Sequence, residues 1–228
     1  MYASVFLTMD ALQRYLEDHS KGTGPVLEWL ERETRYRTVH PRMLGNEPMG
    51  SFLTLLVQMI RPRNVLEIGT FTGYSAICMA RGLEPGARID TIEIFDEHND
   101  LIREAFRRSG LEERIVLHTG DALQVVPQMH REGRRFQLAY IDGNKREYCT
   151  YYRDVKALLD PGGYIVADNV LWDGKVWDQR NRDAQTEGIR AYNRLVMQDD
   201  EVSAVLLPFG DGVSICRKHA PSVCKTSG

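Results

Sequence analysis

The chain has 228 residues, 43% hydrophobic and 27% charged, with 29 Lys plus Arg against 32 Asp plus Glu for a formal net charge of −3. Such a chain suits one globular domain with a sizeable core, read as 1–228 with N-terminal helices (1–60), an α/β core (61–218) and a tail (219–228). The mildly acidic balance counts against a dedicated nucleic-acid binder, and no apolar run approaches the roughly 18 residues that span a membrane.

Met1 to Asp10 lacks the basic start of a signal peptide. Cys78, Cys149, Cys216 and Cys224 are scattered without a C-x-x-C pair, which argues against a disulfide framework or a thiolate zinc site. The expected setting is the reducing cytoplasm.

The first sixty residues read as helices. Leu12, Tyr15, Leu16 and His19 share one helical face, Val26, Leu27 and Leu30 form a second short stripe, and Leu53, Leu56, Val57 and Ile60 mark a helix over Phe52–Ile60. Arg61-Pro62 ends it, because the residue before proline resists helical geometry. Strands and helices then alternate. Strands are predicted at Val65–Ile68, Ile89–Ile94, Ile115–Leu117, Phe136–Asp142 and Tyr164–Asp168. Helices are predicted at Tyr74–Leu83, Asp96–Ser109, Ala122–His130 and Tyr148–Leu159, the last ended by Pro161-Gly162-Gly163. This alternation specifies an α/β fold with a mostly parallel, doubly wound sheet. After a helix at Ile189–Met197, strands at Val202–Leu207 and Val213–Arg217 are joined by a connection too short for a parallel crossover. They make a C-terminal antiparallel hairpin.

Open parallel sheets bind ligands at the carboxyl ends of their strands. The first such end, Glu67 to Ser75, is glycine-rich, but Gly69-x-x-x-Gly73 is not the G-x-G-x-x-G of dinucleotide enzymes, which argues against an NAD-dependent oxidoreductase. Backbone amides there suit a carboxylate, such as that of a methionine moiety, although the glycines also serve a plain strand-to-helix turn. Glu93, 24 residues beyond Gly69, is placed to accept hydrogen bonds from both hydroxyls of a ribose; the alternative is a solvated strand end or a cap for the next helix. Asp142, Asp168 and Asn169 fall at neighbouring strand ends and offer hard oxygen ligands for magnesium, manganese or calcium. Helix capping and an Asx turn are the structural alternatives. Lys145 starts the next helix, where positive charge is disfavoured, and beside a cation it is a candidate general base; a solvated lysine paired with Glu147 is the bland alternative.

Together, V-L-E-I-G-T-F-T-G-Y-S at Val65–Ser75, I-D-G-N-K-R-E-Y at Ile141–Tyr148 and G-G-Y-I-V-A-D-N-V-L-W at Gly162–Trp172 resemble the cation-dependent class I O-methyltransferases, the catechol and caffeoyl-CoA O-methyltransferases among them. The likeness runs from Pro41 to Arg217. It implies a seven-stranded Rossmann-like methyltransferase sheet and S-adenosylmethionine as donor. It implies that Glu67, Gly69, Tyr74 and Ser75 hold the methionine part, Glu93 the ribose, and Asp121 and Ala122 the adenine. Met43 and Gly45 belong to a segment closing over the cofactor, and Asp142 borders it. Asp142, Asp168 and Asn169 would bind the metal and Lys145 would take the proton of a small catechol-like aromatic. That acceptor would also meet Asn169 and Trp172, with Trp177 and Arg180 as further candidate wall residues; ordinary lid packing of this loop is the alternative. Relatives also imply a homodimer.

Many relatives read D-A-D-K where this chain has Asp142-Gly143-Asn144-Lys145, which leaves the metal and base roles but makes the site less negative. The same family includes tRNA wobble-uridine methyltransferases, for which Arg103, Arg107 and Arg108, or Arg131, Arg134 and Arg135, would supply a phosphate-binding face; this is the second reading. A non-catalytic adenosine-ligand sensor or scaffold is the third. The presence of the metal ligands and Lys145 speaks against it.

Overall fold

A computed structural model describes residues 11–12, 14–16, 18–39 and 44–220. They divide into two compact units. One holds the described residues up to Arg61 with Thr70–Gly86 and Glu97–Ile115, and the other holds Pro62–Gly69, Ala87–Asp96 and the described residues from Val116.

The first unit is helical: α1 (Pro25–Arg37), α2 (Glu47–Ile60), α3 (Tyr74–Gly82) and α4 (Asn99–Ser109). Leu27 and Leu30 of α1 and Leu53, Leu56 and Val57 of α2 are buried, as their spacing predicts. The earlier stripe differs. Leu12 and Tyr15 lie in helical residues but stay 51% and 59% exposed, so that face is not core within this chain. Helix α2 starts five residues before the predicted Phe52 because Asn46 caps it, accepting from the Met49 amide at 3.0 Å. It ends as predicted, with Arg61 in a left-handed conformation before Pro62.

The second unit is built on a seven-stranded sheet, β1 (Asn64–Ile68), β2 (Arg88–Glu93), β3 (Ile115–Thr119), β4 (Phe136–Ile141), β5 (Leu159–Ala167), β6 (Val202–Leu207) and β7 (Val213–Lys218), in the order β3-β2-β1-β4-β5-β7-β6. The pairs β1–β2, β1–β4 and β4–β5 are parallel, while β7 runs antiparallel to both β5 and β6. The doubly wound order and the terminal hairpin are those expected. Helices α5 (Ala122–Arg131), α6 (Tyr148–Leu158) and α7 (Ala184–Met197) complete the unit. Its core joins Leu66, Phe136, Ile141, Tyr148, Tyr152 and Tyr192, the last two ring-to-edge at 5.9 Å. No helix among the described residues is long and apolar enough to cross a membrane.

Most other boundaries agree or shift by one to three residues, and two more differ as much as the start of α2. Strand β5 begins at Leu159, paired with Phe136, and the register jumps so that Tyr164 pairs with Leu138. Pro161-Gly162-Gly163 therefore marks an irregularity inside the strand rather than the helix end. Helix α7 begins at Ala184 instead of Ile189 because Asp183 accepts from the Thr186 amide at 3.0 Å.

Candidate active site

The strand ends meet in one row. The Gly69 amide bonds to the Ile92 carbonyl (3.0 Å), Gly120 to Glu93 (2.8 Å), Asp142 to Ile68 (2.9 Å) and Asp168 to Ile141 (3.0 Å). Each bond extends the pairing of neighbouring strands by one residue, so Asp121, Glu93, Gly69, Asp142 and Asp168 succeed one another along the carboxyl edge. Gly69 has φ 99°, and a Cβ there would stand 2.3 Å from the Asp142 carbonyl oxygen. Only glycine tolerates both the left-handed angle and that approach.

The acidic end of the row is a connected network. Lys145 is only 7% exposed. Its Nζ donates to Asp142 Oδ1 at 2.6 Å and to the Tyr148 hydroxyl at 2.7 Å. Tyr148 in turn donates to the Asp168 carbonyl at 3.0 Å. The Asp168 carboxylate accepts from the Tyr140 hydroxyl at 2.8 Å and from the Asn169 amide at 2.7 Å. Burial and the neighbouring Asp142 charge push the Asp168 carboxyl up to about 6 despite those bonds. Burial first, then Asp142 and Asp168, raises the Tyr148 phenol, so it stays a protonated donor. Lys145 lies in a 3-10 turn, Lys145–Glu147, that precedes α6, and Asn144 caps this turn by accepting from the Arg146 amide. The position that lacks a second carboxylate thus shapes the turn.

Asn169 has φ 56°, and Trp172 and Asp173 repeat the left-handed conformation at 48° and 53°. Three such non-glycine residues in one short stretch store strain, a feature that clusters at functional sites. The Lys145 Nζ lies 5.8 Å from the Trp172 ring centre, and the buried Trp172 indole N–H has no hydrogen-bond partner among the described residues.

At the other end of the row, Glu67 is fully buried and accepts from the Thr91 hydroxyl. Glu93 is half-buried and accepts from the Phe95 amide at 3.2 Å. Asp121 caps α5 through the Leu123 amide at 2.9 Å, and Ala122 is buried behind it. In the helical unit, Gly45 lies against the Tyr74 ring, whose hydroxyl is 3.3 Å from that of Thr23, and Ser75 is half-buried in the first turn of α3. Met43 lies outside the described residues.

Tyr140 and Tyr148 were missed from sequence because aromatic residues in a strand and at a helix start read as core. Trp177 and Arg180 are exposed, and Arg180 pairs with Asp178 at 2.8 Å. Among the described residues no group of three or more His, Cys, Asp or Glu side chains is arranged to hold a metal. The oxygen set here is two carboxylates and one amide.

A family model described as O-methyltransferase matches residues 17–219. A catechol O-methyltransferase from Niastella koreensis is 37% identical over 168 residues, covering 73% of this chain and 76% of the relative. A caffeoyl-CoA O-methyltransferase from Populus trichocarpa is 30% identical and covers 93% of this chain and 90% of its own. Among solved structures, an O-methyltransferase from Bacillus cereus in complex with SAH superposes with a TM-score of 0.84 at 32% identity, covering 91% and 97% of the two chains. TomG from Streptomyces achromogenes, in complex with SAM, gives 0.85 at 27% identity, covering 92% and 96%.

Proposed function

We propose, from the premise that this chain belongs to the O-methyltransferase family, that it methylates a hydroxyl of a small catechol-like aromatic with the help of a divalent cation. It is an S-adenosylmethionine-dependent O-methyltransferase of the catechol and caffeoyl-CoA type. The observation that carries the finer reading is the buried Lys145 amino group, tied to Asp142 beside the buried Asp168.

Asp142, Asp168 and Asn169 would hold magnesium or another hard cation such as manganese or calcium. Two carboxylates of which one is pushed up to about 6 by the other and by burial form a repulsive pair that a cation relieves. Such an ion supplies Lewis-acid polarisation of the acceptor oxygens when bound. Asn169 would orient the acceptor and the Trp172 ring would wall it. Lys145 is within reach of a hydroxyl held beside Asp142, and as the free amine it would accept the hydroxyl proton. The acceptor oxygen then takes the methyl group and S-adenosylhomocysteine leaves. Tyr148 would keep the lysine nitrogen aimed by accepting one of its N–H bonds.

On the donor side, the amides after Gly69 with Glu67, Tyr74 and Ser75 would hold the methionine part, Glu93 the ribose hydroxyls, and Asp121 and Ala122 the adenine. The test is methyl transfer to catechols, a caffeoyl thioester and tRNA, each with magnesium and with chelator. Magnesium-dependent transfer to a catechol is the expected result. Transfer in excess chelator by metal-free protein sinks the cation, and transfer to tRNA alone sinks the acceptor.

A further inference from the structure

The stretch between Asp168 and Asp183 is far longer than the usual connection of about 4–6 residues, and a loop of that length has much backbone freedom to lose. One side chain of α7 gathers its second half. Arginine carries five N–H donors in a planar fork and no acceptor. At Arg190 all five are engaged. Nε donates to the Val176 carbonyl (2.9 Å), one Nη to the Asn181 carbonyl (2.7 Å) and the Glu187 carboxylate (2.6 Å), and the other Nη to the carbonyls of Lys175 (2.8 Å) and Asp178 (2.7 Å). Four of the five acceptors are backbone carbonyls of this one loop, and the side chain is 14% exposed.

The surroundings tie this clasp to the reacting end of the site. Asn193, nearly one turn further along α7, donates to the Val170 carbonyl at 2.9 Å. From the opposite side Asp211 accepts from the Asp173 amide at 2.6 Å, and the carbonyls of Asp211 and Gly212 accept from Leu171 and Val170. Helix α7 also abuts the Lys145 turn, since a Cβ on Gly188 would stand 2.4 Å from the Lys145 carbonyl oxygen. One helix therefore sets both the turn that carries Lys145 and the loop that carries Trp172.

The geometry points to Arg190 as a positioning residue that fixes the acceptor wall relative to Lys145. With every donor engaged by the protein, it has none left for a substrate and touches no reacting atom. It acts through the backbone of Lys175–Asn181, so its role is independent of which side chains that loop presents. This rests on the reading of Trp172 and its loop as the acceptor wall.

Full-length wild type, Arg190→Lys and Glu187→Gln decide it. Lysine keeps the charge but has three donors in a tetrahedral array and cannot serve four in-plane carbonyls. Arg190→Lys should raise the KM for a catechol at least tenfold, change kcat much less, and leave the affinity for S-adenosylhomocysteine by calorimetry within twofold. Trypsin should cut it after Lys175, Arg180 or Arg182 at least tenfold faster than wild type. Glu187→Gln retains the loop carbonyl bonds and should match wild type in both assays. A normal catechol KM in Arg190→Lys overturns the proposal, as does an equal loss of donor affinity, which would mark general destabilisation. Rapid cutting of native wild type at these sites overturns it without any variant. Should wild type methylate no catechol, the acceptor reading fails, and the trypsin comparison alone still decides whether Arg190 holds the loop.

Discussion

Lys145 shows how much a single side chain inherits from its neighbours. Its terminal nitrogen is held by Asp142 and Tyr148 and lies 4.9 Å from the Tyr148 ring centre, so its direction is set before any acceptor arrives. Lys145→Ala should fold and bind donor, yet lose roughly 10²–10⁴-fold in kcat, with a smaller loss for catechols whose hydroxyls are more acidic. Lys145→Arg should not recover the rate, since guanidinium stays protonated. Near-normal kcat in both variants across a series of substituted catechols would remove Lys145 from the base role.

A second buried charge has a structural task. Asp90 on β2 receives His118 at 2.8 Å and the Arg134 guanidinium. Burial alone would raise its carboxyl, but the bonds from His118 and Arg134 more than offset this and hold it below the ordinary range. Its stabilisation is therefore present above the ordinary carboxylate range and is lost as pH falls through the depressed native value. Asp90→Ala should cost about 3–5 kcal/mol near neutral pH, and urea unfolding should find that gap narrowing below about pH 4.

At the scale of elements, what was legible from sequence was what strand ends display. Asp142 and Asp168 close apolar runs and Gly69 closes β1, so polarity and position announced them together. The start of β5 was not legible, because Leu159-Asp160-Pro161-Gly162-Gly163 has the chemistry of a turn and only the pairing of Leu159 with Phe136 draws it into the sheet. Arg190 was hidden for another reason: an arginine on an amphipathic helix reads as a solvated face, and its five acceptors become neighbours only through the fold. The Leu12–Tyr15 stripe is helical as its period reads, but the period is not matched by burial.

Helix α7 carries the element-level prediction. Gly188→Ala places a methyl group against the Lys145 carbonyl, and overpacking of this kind costs about 1–3 kcal/mol. The turn bearing Lys145 must move, so kcat should fall while calorimetric donor affinity is kept. Unchanged kcat in a folded Gly188→Ala protein would show that α7 does not set the turn.

Across the molecule, the proposed donor and cation tasks would be separated by distance along the sheet edge. Glu93 extends from β2, while Asp142 and Asp168 follow β4 and β5 beyond the intervening β1. Glu93→Ala should weaken S-adenosylmethionine binding by about 1–3 kcal/mol and leave the cation requirement of turnover as it was. Asp168→Ala should do the opposite, keeping donor affinity and losing rescue by magnesium after chelation. Calorimetry and metal-titrated rates on the two variants measure this. Were both to lose donor affinity alike, the division of labour would be wrong.

The amides of Gly69, Gly120, Asp142 and Asp168 are loop residues by name, yet each closes a rung of the ladder. In heavy water they should exchange with the slow hydrogens of the strands rather than with the quick ones of surface loops, because freeing them requires the sheet edge to open. The edge proposed to carry catalysis then has no softness of its own. In denaturant, methyl transfer should disappear together with the protection of those four amides, and a chain that keeps its sheet keeps the seats of its chemistry.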